Sequence, residues 1–130
     1  MNISNQSTEI ENLAALFHAL GQPARIRILL VLAARPACVC HLEAALGLRQ
    51  AYISQQLMAL RDADLVRAER EGRNIQYSLA RPEVIDLLRL AGKWPDAAWI
   101  PAQTVISGCL CPDCAKANGL MEGISCAQAA

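Results

Sequence analysis

Five of the six cysteines in this chain of 130 residues stand in two tight clusters. One residue separates Cys38 from Cys40, and three further thiols fall within six residues at Cys109, Cys111 and Cys114. Thiolates bind soft ions, and three or four of them complete a site. The spacing therefore predicts a thiolate site for a metal or metalloid: three sulfurs suit As(III) or Sb(III), and four suit Cd(II), Pb(II) or Zn(II).

The first cluster falls at the expected start of a helix, where geometry limits what it can bind alone. Residues two apart on a helix point about 200° apart, so Cys38 and Cys40 do not complete a site by themselves. Either the helix start is frayed, or the second cluster reaches the first, within one chain or across a dimer. His41 follows Cys40 and is predicted to be an ordinary surface residue. Cys126 stands alone and is assigned no role.

Three other interpretations of the thiols remain open. In the first, Cys38 or Cys40 forms a disulfide or polysulfide with a cysteine of the second cluster, which would make the chain a redox switch. In the second, the cysteines are buried and inert. In the third, the tetrad from Cys111 to Cys114 acts as a thiol reductase, but the chain lacks the βαβ context of such a motif. We therefore predict that the protein is not an enzyme and has no catalytic residues.

The N-terminal segment predicts a protein of the cytoplasm. Met1 to Thr8 is polar and lacks the basic and apolar regions of a signal peptide. No run approaches the roughly 20 apolar residues that span a bilayer, so no membrane partner is expected. In a reducing compartment, clustered cysteines indicate metal or redox sites rather than a disulfide framework.

Periodicity and breakers predict the elements that position these residues. Thr8, with Glu11 as a capping box, begins a first helix that ends at Gly21. Alternation around a turn at Gly72 predicts a β-hairpin. The remaining helices are expected at about 23–35, 38–46, 49–62 and 82–92. The fold class is mostly α with a small β-hairpin (α+β): a winged helix-turn-helix domain over 1–92, followed by a cysteine-containing tail over 93–130.

The helix-turn-helix with its hairpin predicts binding to double-stranded DNA. Formal net charge is zero, but residues 49–81 carry six arginines against four acids. The second helix of such a motif enters the major groove, and the hairpin, or wing, contacts the backbone or minor groove. The predicted DNA contacts are Arg49, Gln50, Ala51, Tyr52, Ser54, Gln55, Gln56, Arg61, Arg70, Arg73 and Asn74.

Apolar residues on the first and last helices predict a homodimer. The last helix has little polar face, which is typical of packing beyond its own domain, and ordinary packing in the core of its own domain is the alternative. The predicted interface residues are Leu13, Phe17, Leu87 and Leu88. A two-fold dimer reads two half-sites about one helical turn apart, so the expected operator is pseudo-palindromic.

Four segments in this order resemble the ArsR/SmtB family of metal-responsive repressors, over roughly Ile10 to Leu90. They are ALGQPARIRILLVL, CVCHLEAALGL, AYISQQLMALRDADLV and REGRNIQYSL. The resemblance implies a homodimer that represses a metal-resistance operon and leaves DNA when metal binds.

The resemblance also bears on the thiol ligands. Cys38-Val39-Cys40 resembles the motif on which the arsenic, antimony, cadmium and lead branches place thiolates. The arsenic branch has a further cysteine where this chain has Glu43, and no cysteine precedes Cys38 or lies in the fourth helix. The missing ligands are therefore expected from Cys109, Cys111 and Cys114. Zinc-type members use Asp and His on the last helix; Asp86 is present but no His follows His41, which ranks Zn(II) below the other ions.

Overall fold

The computed structural model describes residues 3–92, with side chains from residue 5 onward. Its elements are five helices and one hairpin: α1 Ile3–Leu20, α2 Pro23–Ala34, α3 Val39–Leu46, α4 Gln50–Asp62, β1 Val66–Glu71, β2 Asn74–Leu79 and α5 Glu83–Gly92. This order confirms the mostly helical fold with a β-hairpin wing. The tail over 93–130, with Cys109, Cys111, Cys114 and Cys126, lies outside the described residues.

The start of α1 differs from the prediction. The helix begins at Ile3, so Thr8 lies within it rather than capping it. The intervening residues are Ser4, Asn5, Gln6 and Ser7, and none of them is a Pro or Gly that would stop a helix. The capping-box pattern was therefore a wrong boundary signal.

Helix α2 is the centre of the core. Pro23 occupies its first turn, where the missing N–H costs nothing. Five consecutive residues from Ile28 to Leu32 are buried, so the helix is covered on every side. Packed on it are side chains from α3, α4, α5 and the loop before β1, including Leu42, Ile53, Leu57, Leu60, Leu65 and Val84.

Helices α3 and α4 are joined by a tight turn. Gly47 ends α3 at φ +67°, a left-handed conformation that favours glycine, and its N–H donates to Glu43 O at 2.8 Å. Arg49, in extended backbone, is the N-cap of α4. The three residues of this turn place α4 directly against α3, as a helix-turn-helix requires.

The hairpin turn lies where the sequence predicts it. Val66 pairs with Leu79 and Glu71 with Asn74, leaving a two-residue turn of Gly72 and Arg73. Gly72 has φ +64°, as such turns demand. An isolated bridge between Ala37 and Tyr77 attaches the segment before α3 to β2.

Among the described residues, no single helix is long and apolar enough to cross a membrane. Only the bent pair of Asn5–Leu20 and Pro23–Ala34, at 90°, reaches that length and composition jointly.

Candidate functional site

One face of α4 anchors the helix and the opposite face is open. Ile53, Leu57 and Leu60 recur at helical spacing and are buried in the core. The side chains that point away from the core are exposed in this structure: Gln50, Ala51, Tyr52, Ser54 and Gln55. They are the residues that sequence reasoning assigned to base contacts. Arg49 and Arg61, at the two ends of the helix, are also exposed.

Gln56 departs from this pattern. It is half-buried, and its Oε1 accepts a hydrogen bond of 2.8 Å from Arg25 Nε on α2. Because a guanidinium only donates, the atom facing it must be the amide oxygen. Gln56 is therefore tied to the body of the domain.

Met58 is a surface residue that the sequence prediction omitted. Its side chain is 64% exposed. It follows Gln55 by three residues and Ala51 by seven, a spacing that places all three on one helix face. That spacing was the available signal in the sequence.

The hairpin separates its predicted contacts onto two faces. Successive strand residues point to opposite sides, so Arg70 shares a face with its cross-strand partner Ile75, while Asn74 and Glu71 lie on the other. Arg70 and Ile75 are both exposed at the outer end of this face. Arg73 is exposed in the turn itself. The structure therefore does not bring Arg70 and Asn74 to a common face.

The two sulfurs of the first thiol cluster lie together. Cys38 Sγ is 3.4 Å from Cys40 Sγ. Cys38 is the N-cap of α3, with φ −89° and ψ 170°, so it lies outside the helix. The separation of about 200° between residues two apart within a helix therefore does not apply to Cys38 and Cys40. Two sulfurs bound at about 2.3 Å to one tetrahedral ion stand about 3.8 Å apart, which a small side-chain adjustment would reach. This pair therefore fits half of a thiolate site.

The redox states of the two cysteines differ. Cys40 is disulfide-bonded. Cys38 carries a buried thiol. Over residues 3–92 there is no group of three or more His, Cys, Asp or Glu side chains that could hold a metal ion. The pair thus needs ligands from elsewhere, and Cys109, Cys111 and Cys114 fall outside the described part of the chain.

The surface position predicted for His41 is wrong. Its side chain is 1% exposed, because the first turn of α3 faces the core. His41 Nδ1 lies 3.3 Å from Arg35 Nη2. Since a guanidinium group only donates, Nδ1 is the acceptor in this contact.

Apolar side chains are exposed on α1 and at the end of α5. Leu13 and Phe17, one turn apart, are 53% and 51% exposed, and Leu90 is 79% exposed. Leu87 is partly buried, and Leu88 is buried within the core of its own protomer. Of the predicted interface residues, Leu13 and Phe17 are therefore the ones that a second chain could cover most readily.

A family model described as "Bacterial regulatory protein, arsR family" matches residues 22–68. The chain is 41% identical over 81 residues to a transcriptional repressor SmtB homolog of Synechocystis sp., covering 62% of this chain and 61% of that protein. It is 43% identical over 81 residues to the HTH-type transcriptional regulator Rv0081 of Mycobacterium tuberculosis, covering 62% and 71% respectively. It is also 34% identical over 86 residues to a probable mercury resistance operon repressor of Streptomyces lividans, covering 65% and 67%.

Two solved structures have a similar fold. The first is the homodimeric winged helix-turn-helix DNA-binding domain of Mb0332 from Mycobacterium bovis, with a TM-score of 0.65, 25% identity, and coverage of 71% of this chain and 88% of that one. The second is reduced HlyU from Vibrio cholerae, with a TM-score of 0.62, 26% identity, and coverage of 70% and 96%.

Proposed function

The chain belongs to the ArsR family of winged helix-turn-helix transcriptional regulators, and on this premise we propose that it represses transcription as a DNA-bound homodimer until a thiophilic ion binds its cysteines. As a member of a regulator family it is not an enzyme.

The observation that carries the DNA-binding role is the open face of α4. An apolar anchor on one side fixes the helix in the domain, and polar side chains with groups suited to base edges occupy the other side. Gln55 or Gln50 can pair with adenine N6 and N7, Ser54 can bond to a base or phosphate, and Ala51 can contact a thymine methyl group. Arg49, Arg61, Arg70 and Arg73 are placed for contacts to phosphates or the minor groove.

The exposed apolar residues of α1 support a homodimer. Leu13 and Phe17 would be buried if α1 packed against α1 of a second chain. Helix α5 would lie beside this contact. Complete burial of an exposed side chain of this kind contributes roughly 1.5–3 kcal/mol, and about half of that is available at each residue because each is already about half covered. The homodimeric state named for the similar domain of Mycobacterium bovis supports the same arrangement.

The 3.4 Å separation of Cys38 Sγ and Cys40 Sγ supports ion binding. In the reduced state these two sulfurs would supply two thiolate ligands, and Cys109, Cys111 and Cys114 would supply the rest. Three sulfurs would take As(III) or Sb(III), and four would take Cd(II) or Pb(II), with Zn(II) ranked below. The mercury resistance named for the Streptomyces relative supports a soft ion without selecting one.

The position of the thiols links them to the DNA-binding elements. Cys38 is the N-cap of α3, the first helix of the helix-turn-helix, and it follows Ala37, which bridges to the wing. An ion that draws the sulfurs toward other ligands would move both elements together. It shifts the DNA equilibrium only by its difference in affinity for the two conformations, about 1–3 kcal/mol in typical allosteric proteins.

Anaerobic titration of the full chain tests this proposal. As(III), Sb(III), Cd(II), Pb(II) and Zn(II) are added separately to reduced protein on operator DNA, while thiolate charge-transfer absorbance and DNA anisotropy are followed. An inducing ion raises the absorbance and releases the DNA at the same stoichiometry. Absorbance without release from any of the five ions would contradict the induction mechanism and leave the DNA-binding role intact.

A redox switch is the second candidate, and the proximity of the two sulfurs favours it. Cys40 is disulfide-bonded while the Cys38 thiol lies 3.4 Å from its sulfur, a position suited to thiol–disulfide exchange. In this alternative a peroxide takes two electrons from two thiols, giving a disulfide and two waters, and a polysulfide could act as the oxidant instead. DNA release by peroxide and restoration by dithiothreitol, with no response to ions, would select this mechanism.

A further inference from the structure

Arg25 connects three elements through one guanidinium group. Its Nε donates to Gln56 Oε1 on α4 at 2.8 Å, and its Nη1 donates to Ala19 O in the last turn of α1 at 3.1 Å. Arg25 itself lies in the first turn of α2. The two acceptors therefore stand at fixed places around one planar group.

Each of these hydrogen bonds gives a partner to a polar group that would be energetically costly to leave without one. Carbonyls in the last turn of a helix have no partner within the helix, and Ala19 is buried. A cation near the C-terminus of α1 also complements the helix dipole. The bond to Gln56 is charge-assisted, so it is stronger than a neutral bond between amides.

The bond to Arg25 restricts what Gln56 can do on DNA. Pairing of a glutamine with adenine needs both its oxygen and its nitrogen. With Oε1 engaged by Arg25, Gln56 keeps only its N–H donors, so adenine pairing falls to Gln50 or Gln55.

We propose that Arg25 is a positioning residue that fixes the direction of α4 relative to α1, and thereby sets the half-site spacing that the dimer accepts. This inference rests on the proposed function, in which α1 forms the dimer interface and α4 enters the major groove. If α1 is held against a second chain, then a rigid connection from α1 to α4 determines the separation and angle of the two recognition helices. A lysine cannot replace this group, because its single ammonium lacks the planar fork that reaches both acceptors.

A spacing series tests the inference. Operator sequences are first selected in vitro with the wild-type full-length chain, and duplexes are then made in which the two half-sites are one or two base pairs closer or further apart. Each added pair rotates one half-site by about 35° around the DNA axis. Wild-type affinity should fall about tenfold or more per base pair, on the scale of lost base contacts. Arg25→Lys should bind the duplex of best spacing more weakly than the wild type. Its affinity should then fall less than about threefold for each base pair of change in the half-site spacing.

Two variants separate positioning from a loss of fold or charge. Arg27→Lys alters an exposed arginine of the same helix and should retain wild-type discrimination. Gln56→Met removes the acceptor while retaining the size of the side chain. It should weaken the preference for one half-site spacing as Arg25→Lys does. The double variant with both substitutions should show no further loss of this preference. Gln56→Met therefore tests the positioning role even if Arg25→Lys fails to fold. Binding to random duplex should be unchanged in all of them, because the net positive charge is retained.

The outcomes distinguish the two levels of the proposal. If wild-type protein discriminates spacing and both Arg25→Lys and Gln56→Met discriminate equally well, the positioning role is overturned and the DNA-binding function stands. If wild-type protein selects no duplex, the proposed function is overturned and this inference with it.

Discussion

The backbones of Ala37 and Tyr77 exchange two hydrogen bonds, from Ala37 N to Tyr77 O at 3.0 Å and from Tyr77 N to Ala37 O at 2.8 Å. Tyr77 lies in β2 of the wing, and Ala37 immediately precedes Cys38. The thiol pair and the wing are thus joined by a short, rigid piece of backbone. We therefore expect a displacement of Cys38 to move β2 as well, because no further residue separates Cys38 from the bridging Ala37.

Removal of one bond of this bridge should uncouple the ion from the DNA. Ala37→Pro deletes the N–H that donates to Tyr77 O. We expect a loss of about 1–3 kcal/mol of unfolding free energy and a smaller ratio between operator Kd values with and without inducing ion. The ion affinity itself, measured by thiolate absorbance, should change little.

Ala80→Pro provides the matched control for this bridge. It removes a comparable bond, from Ala80 N to Leu65 O at 2.9 Å, on the opposite side of the hairpin from Cys38. The control should lose similar stability but retain wild-type induction. Equal loss of induction in both variants would mean that general loosening of the hairpin is responsible.

Local signals in the sequence were sufficient for most of the fold. Pro23 and Pro36 bounded α2, Gly47 marked the turn before α4, and Gly72 marked the hairpin turn. These signals act over a few residues, so they survive without knowledge of the tertiary structure. At the start of α1 the local signal failed, because a capping pattern at Thr8 does not stop a helix that can continue.

Long-range contacts were not available from the sequence. The core packs over the first turn of α3, which buries His41. Gln56 had the type and position of a base-reading residue, but its partner Arg25 is 31 residues away. The proximity of Cys38 and Cys40 depended on whether Cys38 lies within α3 or is its N-cap, outside the helix. None of these relationships follows from residue spacing.

Gln55→Ala tests the recognition face. The exposed amide of Gln55 lies on the side of α4 opposite the core, and a well-placed contact to a base is worth about 1–3 kcal/mol. Operator affinity should fall by roughly 5- to 150-fold, while affinity for random duplex stays within about twofold because no charge is lost. Fluorescence anisotropy with both duplexes gives the two values. Unchanged operator affinity would remove Gln55 from the interface.

Arg73→Ala should give the opposite pattern. Arg73 is exposed in the wing turn, where it is expected to contact phosphate. Its loss should weaken binding to operator and to random duplex to a similar degree. It should also reduce the magnitude of the slope of log K against log salt concentration by about 1. A salt titration of both complexes measures this slope. A loss confined to the operator would instead indicate that Arg73 reads bases.

Leu13→Glu tests the dimer interface. Because Leu13 is 53% exposed on α1, a charge there should be tolerated by the protomer but buried in the dimer, at a cost of several kcal/mol by order of magnitude. Sedimentation should show monomer at low micromolar concentration with the helical circular dichroism intact. Ile75→Glu, at an exposed apolar position on the wing, should remain dimeric. Leu88→Glu is a poorer test, since Leu88 is buried in the core of the protomer and its loss would unfold the chain.

The last prediction concerns the second thiol cluster. Cys38 and Cys40 provide two sulfurs, and three or four are needed for a soft ion. Replacement of Cys109, Cys111 and Cys114 together by serine should leave operator affinity unchanged, since those residues do not read bases, and should abolish DNA release by ion. Cys126→Ser is the matched control and should release DNA as the wild type does. The comparison is made anaerobically with reductant, because air oxidation of thiols could also cause release. If the triple variant releases DNA at the wild-type ion concentration, the second cluster is not part of the inducer site; if it fails to bind DNA in the absence of ion, that cluster has a structural role.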